Sequence, residues 1–192
     1  KFDANDSTNT YVQAGYTVTA SSQANDAKNA ATLYDDAFPS TNATSKGWQG
    51  NNSTYDSSGD ATSIDTLTGI TGATSSRNGS YTTLQLPHKI KVSRLQLHTR
   101  NLIDHSSPGH PKQIYVYGSN DGSSWTQIGS HLFTTASSSP IWQIIDINSA
   151  TPYNYFALQA TSILDTTGRL SLLDLEYYGY EEYTPAGDHS VD

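Results

Sequence analysis

The stretch Ile114–Gly129, read as IYVYGSNDGSSWTQIG, restricts the folding options of this chain more than any other. Two alternating segments, Ile114–Gly118 and Trp125–Ile128, flank Ser119-Asn120-Asp121-Gly122-Ser123-Ser124. Asp-Gly between β-rich runs is a strong hairpin signal, because glycine accepts the positive φ that tight hairpin turns require. The segment therefore reads as a β-hairpin, and the rest of the chain has to supply strands that pack with it.

The other alternating segments supply them. Tyr16-Thr17-Val18-Thr19-Ala20 reads as a first strand. From Tyr81 the signal becomes steady: Leu84 and Leu86 alternate, Pro87-His88-Lys89 marks a turn, and Ile90 and Val92 share a face. Leu95 and Leu97 fall on the other parity, so a β-bulge is predicted at Ser93-Arg94, where one extra residue restores the core face. Ile141, Ile145 and Ile147 form a further strand, as do Phe156, Leu158 and Ala160, and then Leu173, Leu175 and Tyr177. Asn25 to Ala37 is the best helical candidate, with Ala27, Ala30, Ala31 and Tyr34 on one small face. Asn42 to Gly79 is dominated by Ser, Thr, Asn, Gly and Asp; at that length, turns and short strands are expected within it. No internal repeat is visible. The sum is an all-β chain, a β-sandwich of antiparallel strands with long polar loops.

The 192 residues suffice for one sizeable core. The expected division is an N-terminal extension over 1–15, the sandwich over 16–179 and a linker-like tail over 180–192. With a net charge of −8, nucleic acid is not an expected partner and an anionic membrane surface is disfavoured. The absence of Cys excludes disulfides, thiolate catalysis and Cys-based zinc sites. Met is also absent, even at position 1, which fits an excised domain or processed product. No apolar run approaches the ~18 residues of a membrane span. Sequons at Asn5, Asn42, Asn51, Asn52 and Asn78 would mark exposed loops in a glycosylating host.

Several stretches fall in the order of a known family. Ile114–Gly118 followed by Ser119-Asn120-Asp121-Gly122 and Trp125-Thr126 resembles the signature of the discoidin, or coagulation-factor V/VIII C-type, domain. Leu33-Tyr34-Asp35-Asp36 with Gly47-Trp48-Gln49, then Tyr81 to Leu86, Val92 to Leu97, Tyr155-Phe156-Ala157-Leu158 and Leu173 to Gly179 resemble successive motifs of that family. The resemblance covers roughly 16 to 179. It implies a galactose-binding-like jelly roll of about eight strands, and its carbohydrate-binding-module branch implies a glycan ligand. Two departures stand out. Asp36 replaces the family's Gly, and the stretch between Trp48 and Tyr81 is longer than usual, which suggests an inserted hairpin or decorated loop.

The resemblance also implies site residues. Arg100 ends the strand before the hairpin, where the sugar-binding branch carries an Arg, and a planar guanidinium fork donates to two adjacent hydroxyls. Asn101, Asp104, His105 and His110 follow on the same loop. The plainer reading of Arg100 is an ion pair at a loop base. A structural calcium is implied at Asp35, Asp36 and Asp174, with Thr44 or Ser45 adding oxygens, since calcium takes roughly six to eight of them. The alternative is a turn cap at Asp35-Asp36 and a solvated strand residue at Asp174. Of the tryptophans, Trp48 and Trp125 read as packing residues and Trp142 as one open to a sugar ring. Tyr115 and Tyr117 read as the partly exposed outer face of their strand.

No Gly-x-Ser-x-Gly, His-Glu-x-x-His or Walker-type loop is present. The functional expectation is a non-catalytic, lectin-like module, extracellular or surface-exposed on a secreted protein, cell or virion. It would attach a larger multidomain chain to cell-surface or polysaccharide glycans. A structural or protein–protein interaction sandwich in a virion or cell-surface assembly is the alternative. Membrane insertion through Phe38 or Leu102-Ile103 ranks last, since a basic collar is missing.

Overall fold

The computed structural model describes residues 9–24, 29–34, 47–72, 74–99, 109–135, 142–166 and 168–181. Its elements are β1 (Thr10–Gln13), β2 (Tyr16–Ala20), a 3-10 turn (Ala30–Tyr34), β3 (Trp48–Gln49), β4 (Thr66–Thr68), β5 (Ser76–Asn78), β6 (Tyr81–Thr99), β7 (Pro111–Ser119), β8 (Thr126–Leu132), β9 (Trp142–Asp146), β10 (Tyr153–Ile163) and β11 (Ser171–Glu181).

The strands form two layers joined through β6. Its first half pairs with β2 and β10, in the order β1-β2-β6-β10-β7-β8. Its second half pairs with β11 and β9, and β11 also holds β3. Between the halves, Tyr153 faces Ile90 while Tyr155 faces Gln85, so the ladder skips Leu86–Lys89 on β6. Pro87-His88-Lys89 is therefore not the expected turn. It is an exposed bend at which one strand passes from one layer to the other, and proline is tolerated there because the ladder asks for no N–H. The bulge at Ser93 is present: Tyr178 pairs with Arg94 and the next residue, Gly179, with Val92, leaving Ser93 unpaired. It carries Leu95 and Leu97 onto the core face that Ile90 and Val92 already occupy.

The core lies between the layers. Val18, Leu84, Ile114, Val116, Phe156 and Leu158 enter it from one side and Leu95, Leu97, Ile145, Leu172 and Leu175 from the other, all nearly or fully inaccessible. Each such side chain contributes roughly 1.5–3 kcal/mol by leaving water, which favours this register over a one-residue slip. Trp48 is fully buried, and its indole N–H donates to the Ser22 carbonyl at 2.8 Å.

Four boundaries differ from the sequence reading. The sheet begins inside the supposed extension, because β1 pairs with β2 across the two-residue Ala14-Gly15 turn. β11 continues two residues past Gly179, pairing with Lys91 and Ile90. Within the described part of the helical candidate there is only the five-residue 3-10 turn, which buries Ala30, Ala31 and Leu33. Tyr117 is fully buried rather than half-exposed, because β4 and β5 form a hairpin that folds over the outer face of the first layer. Leu67, Ile70, Tyr117, Trp125 and Ala157 make a second, smaller core there.

That hairpin is the decoration expected between Trp48 and Tyr81, and Asp65 ties it down. The buried Asp65 carboxylate accepts hydroxyl protons from Ser22 at 2.7 Å and from Ser21 and Ser80 at 3.0 Å. Arg77 holds the far side. Its guanidinium donates to the Tyr117 hydroxyl at 2.8 Å and Gln127 at 2.9 Å, and lies 3.7 Å from the Tyr115 ring centroid.

Candidate functional site

The polar connections gather at one end of the sandwich, where β6 ends, β7 begins and β10 passes to β11. Thr99, the last residue of β6, faces Leu172 of β11 and is buried. On the returning side, the Gly109 carbonyl accepts from Ser171 N–H at 2.9 Å and the His110 carbonyl from Leu164 N–H at 2.9 Å. Gly109 has φ +61°, and a Cβ there would lie 2.6 Å from Ser171 Oγ and 2.7 Å from the Arg169 carbonyl, so the position requires glycine. The residues flanking 100–108 on both sides are thus held by β11 and its approach.

Arg100, Asn101, Asp104 and His105 lie outside the described residues. His110 lies within them and differs from the expected rim position. It is 3% exposed, and its N–H donates to Asp165 Oδ2 at 2.9 Å. Trp142 pairs with His98 across β9 and β6, and their rings stack at 4.9 Å with an 18° interplanar angle. Trp142 is partly exposed, so an aromatic surface lies one residue before the end of β6. Trp48 and Trp125 are buried, as the sequence indicates.

Two neighbouring segments complete this end. The β10–β11 connection meets the 50–61 segment through Tyr55 N–H to the Gly168 carbonyl at 3.1 Å and Ile163 N–H to the Gly59 carbonyl at 2.8 Å. Asp165 and Arg169 belong to that connection and were not singled out from sequence. Asp165 stands 55 residues from His110, whose backbone N–H it accepts, and nothing local in 165–169 distinguishes it from an ordinary polar turn.

No protein-family model matches the chain, and no curated protein does. Solved structures do. A family 32 carbohydrate-binding module of Clostridium perfringens NanJ, in complex with galactose, superposes with TM-score 0.57 at 12% identity, over 88% of this chain and 97% of that one. The fold is that of family 32 carbohydrate-binding modules. A second such module from the Clostridium perfringens family 89 enzyme, in complex with GalNAc-β-1,3-galactose, gives TM-score 0.59 at 15% identity, over 86% and 96%. The C-terminal domain of a Bacteroides fragilis chitobiase gives 0.58 at 13%, over 91% and 99%.

Within this carbohydrate-binding-module fold, Asp174 occupies a buried place on β11, 4% exposed, rather than a solvated one. Its Oδ1 accepts from Leu175 N–H at 2.7 Å. With Tyr34 and Tyr177 it lines a cavity of about 600 Å³. Burial pushes the Tyr34 hydroxyl well above the usual tyrosine range, and the Asp174 charge adds to the shift. Tyr34 closes the 3-10 turn, so the chain leaves toward Asp35 and Asp36 from beside Asp174. Those two lie outside the described residues, and among the described residues no three His, Asp or Glu side chains gather as a metal cluster. The donor type suits calcium to this extent: Asp174 offers a buried, hard carboxylate oxygen.

Proposed function

We propose that this chain is a non-catalytic carbohydrate-binding module that attaches a larger surface-exposed or secreted protein to glycans through the loop end. The observation that carries the reading is the fold itself, shared with modules solved in complex with galactose and GalNAc-β-1,3-galactose, with Thr99 and Gly109, on either side of 100–108, both held by β11. Arg100 is the central donor, pairing its fork with adjacent hydroxyls. Asn101, Asp104 and His105 add hydrogen bonds, and Trp142 offers an apolar ring to sugar C–H groups. Each hydroxyl bond replaces one to water and nets only ~0.5–1.5 kcal/mol, so one module binds modestly and avidity comes from repetition.

Calcium is assigned a structural role only. Asp35, Asp36 and Asp174 would hold it and so join the chain after the 3-10 turn to β11.

A glycan array with the wild-type chain and Arg100→Ala tests the reading. Binding to galactose-containing or related glycans, lost or reduced roughly tenfold or more in the variant, is expected. Equal binding by the two chains removes Arg100. Binding to no glycan overturns the module reading in favour of an assembly domain.

A further inference from the structure

The outer face of the first layer carries a second concavity, remote in residues from the loop end. It encloses about 430 Å³, within the ~300–1,000 Å³ typical of ligand pockets. Its floor is two rows of side chains running across strands. Tyr155, Gln85 and Thr17 stand side by side on β10, β6 and β2, and Thr83 and Thr19 form the adjoining row. The Thr19 and Thr83 hydroxyls are hydrogen-bonded to one another, and each oxygen keeps acceptor capacity for a further partner.

Two walls rise from this floor. One is the β4–β5 hairpin, presenting Leu67 and Thr68; the other is the turn after β7, presenting Gly122 and Ser123. They are stitched together at Trp125, whose N–H donates to the Gly69 carbonyl and whose carbonyl accepts from Thr71 N–H, both at 2.8 Å. The turn is rigid. Asp121 Oδ1 accepts from the Ser123 and Ser124 N–H groups at 2.7 Å, and Gly122, at φ +70°, sits against the Tyr155 ring, which a Cβ would approach to 3.1 Å. Away from Trp125 the groove opens toward β2 and β1. There Thr10 and Val12 pair with Thr19 and Thr17 and continue the same face, with Val12 67% exposed. From β10 to β1 the face extends roughly 14 Å at ~4.8 Å per strand.

We propose that this groove is a second glycan-binding site, separate from the loop end, that takes a short run of a neutral polysaccharide. The chemistry is specific on three counts. Partly exposed Tyr81 and Tyr155 offer aromatic surface for the apolar faces of pyranose rings. Hydroxyls and the Gln85 amide, each able to donate and accept, match sugar hydroxyls of either polarity. Among the described residues no Asp, Glu, Lys, Arg or His lines the groove, so those that line it offer no charge to neutralise a sialyl, uronate or sulfate group. Closure at Trp125 and openness at β1 give the site a direction: one end of the glycan abuts the walls and the rest leaves across the sheet edge.

The test is a set of two-dimensional amide NMR titrations of the whole chain with cellotetraose, xylotetraose and mannotetraose, and with a sialylated trisaccharide beside its neutral parent. At millimolar sugar, at least one neutral chain is expected to shift the amides of Thr19, Thr83, Gln85, Ser123 and Tyr155. Tyr155→Ala is expected to abolish the shifts, Gln85→Ala to weaken binding about fivefold to tenfold, and Arg100→Ala to leave them intact. Should Tyr155→Ala lose its native spectrum, Gln85→Ala decides alone. The proposal is overturned if no neutral chain moves those amides, if Gln85→Ala titrates like the wild type, or if the sialylated sugar binds there more tightly than its parent. Arg100→Ala separates the two sites, so loop-end binding can fail with the groove intact and the reverse.

Discussion

Single side chains set the local geometry of this protein, and two carboxylates show how. Asp65 gathers hydroxyl protons from Ser21, Ser22 and Ser80, on both sides of the hairpin insertion. Asp65→Ala leaves two buried hydroxyls and one half-buried one short of an acceptor and is expected to cost about 2–4 kcal/mol in urea denaturation, with little change in the denaturant slope. Asp121 works at the surface. Backbone N–H groups of Ser124 and Ser123, with the Ser119 hydroxyl, hold its carboxyl well below the usual value of 3.8. A depressed folded-state pKa adds stability that is complete above the unfolded value and is lost as pH falls through the folded one. The melting-temperature difference between wild type and Asp121→Asn should therefore stay level from about pH 7 to 5 and narrow below about pH 4. A difference that instead changes between neutral pH and pH 5 would point to another group. Neither role was visible in the sequence in full: the Asp-Gly turn was, but Asp65's donors lie up to 44 residues away.

Elements were read where alternation is long enough to count. The strand Tyr16–Ala20 and the hairpin around Asp121-Gly122 lie where the pattern places them. The Ser93 bulge was legible because two pairs of apolar residues on opposite parity cannot share a core without one extra residue between them. The Pro87 bend was misread because Pro-His-Lys looks the same in a turn and in a strand that changes layer. Between Trp48 and Tyr81 only Leu67 and Ile70 enter the packed second core, too few to display a period, so a hairpin was expected there without a register. That hairpin depends on Arg77. Arg77→Ala removes two hydrogen bonds and a ring contact, and is expected to lower stability by about 1–2 kcal/mol. Amide exchange should accelerate over 66–78 more than in β10 or β6, and uniform acceleration would show that the hairpin does not open separately.

At the scale of the whole molecule, two layers close over one core with no disulfide to help, and the loop end sits where the layers' connections meet. Of the candidate site, only the end of β6 was legible, from the parity of Leu95 and Leu97; the contacts among Gly109, Asp165 and Ser171 and their neighbours join segments that no sequence window contains. The proposed calcium would act at this scale, by linking chain beyond the 3-10 turn to β11. In a sample stripped of metal, added calcium should raise the melting temperature progressively and chelator should reverse the rise. An unchanged melt would remove Asp35, Asp36 and Asp174 from metal binding. One more consequence follows from β6 serving both layers. The crossover at Pro87-His88-Lys89 works as a fixed-length spacer, so adding or deleting a residue there slides half of the interior past the other half. The same change in the outer β4–β5 hairpin is absorbed outside the layers. Descendants of this architecture should accordingly differ in length in the outer hairpin, while the spacing from Leu86 to Ile90 stays constant.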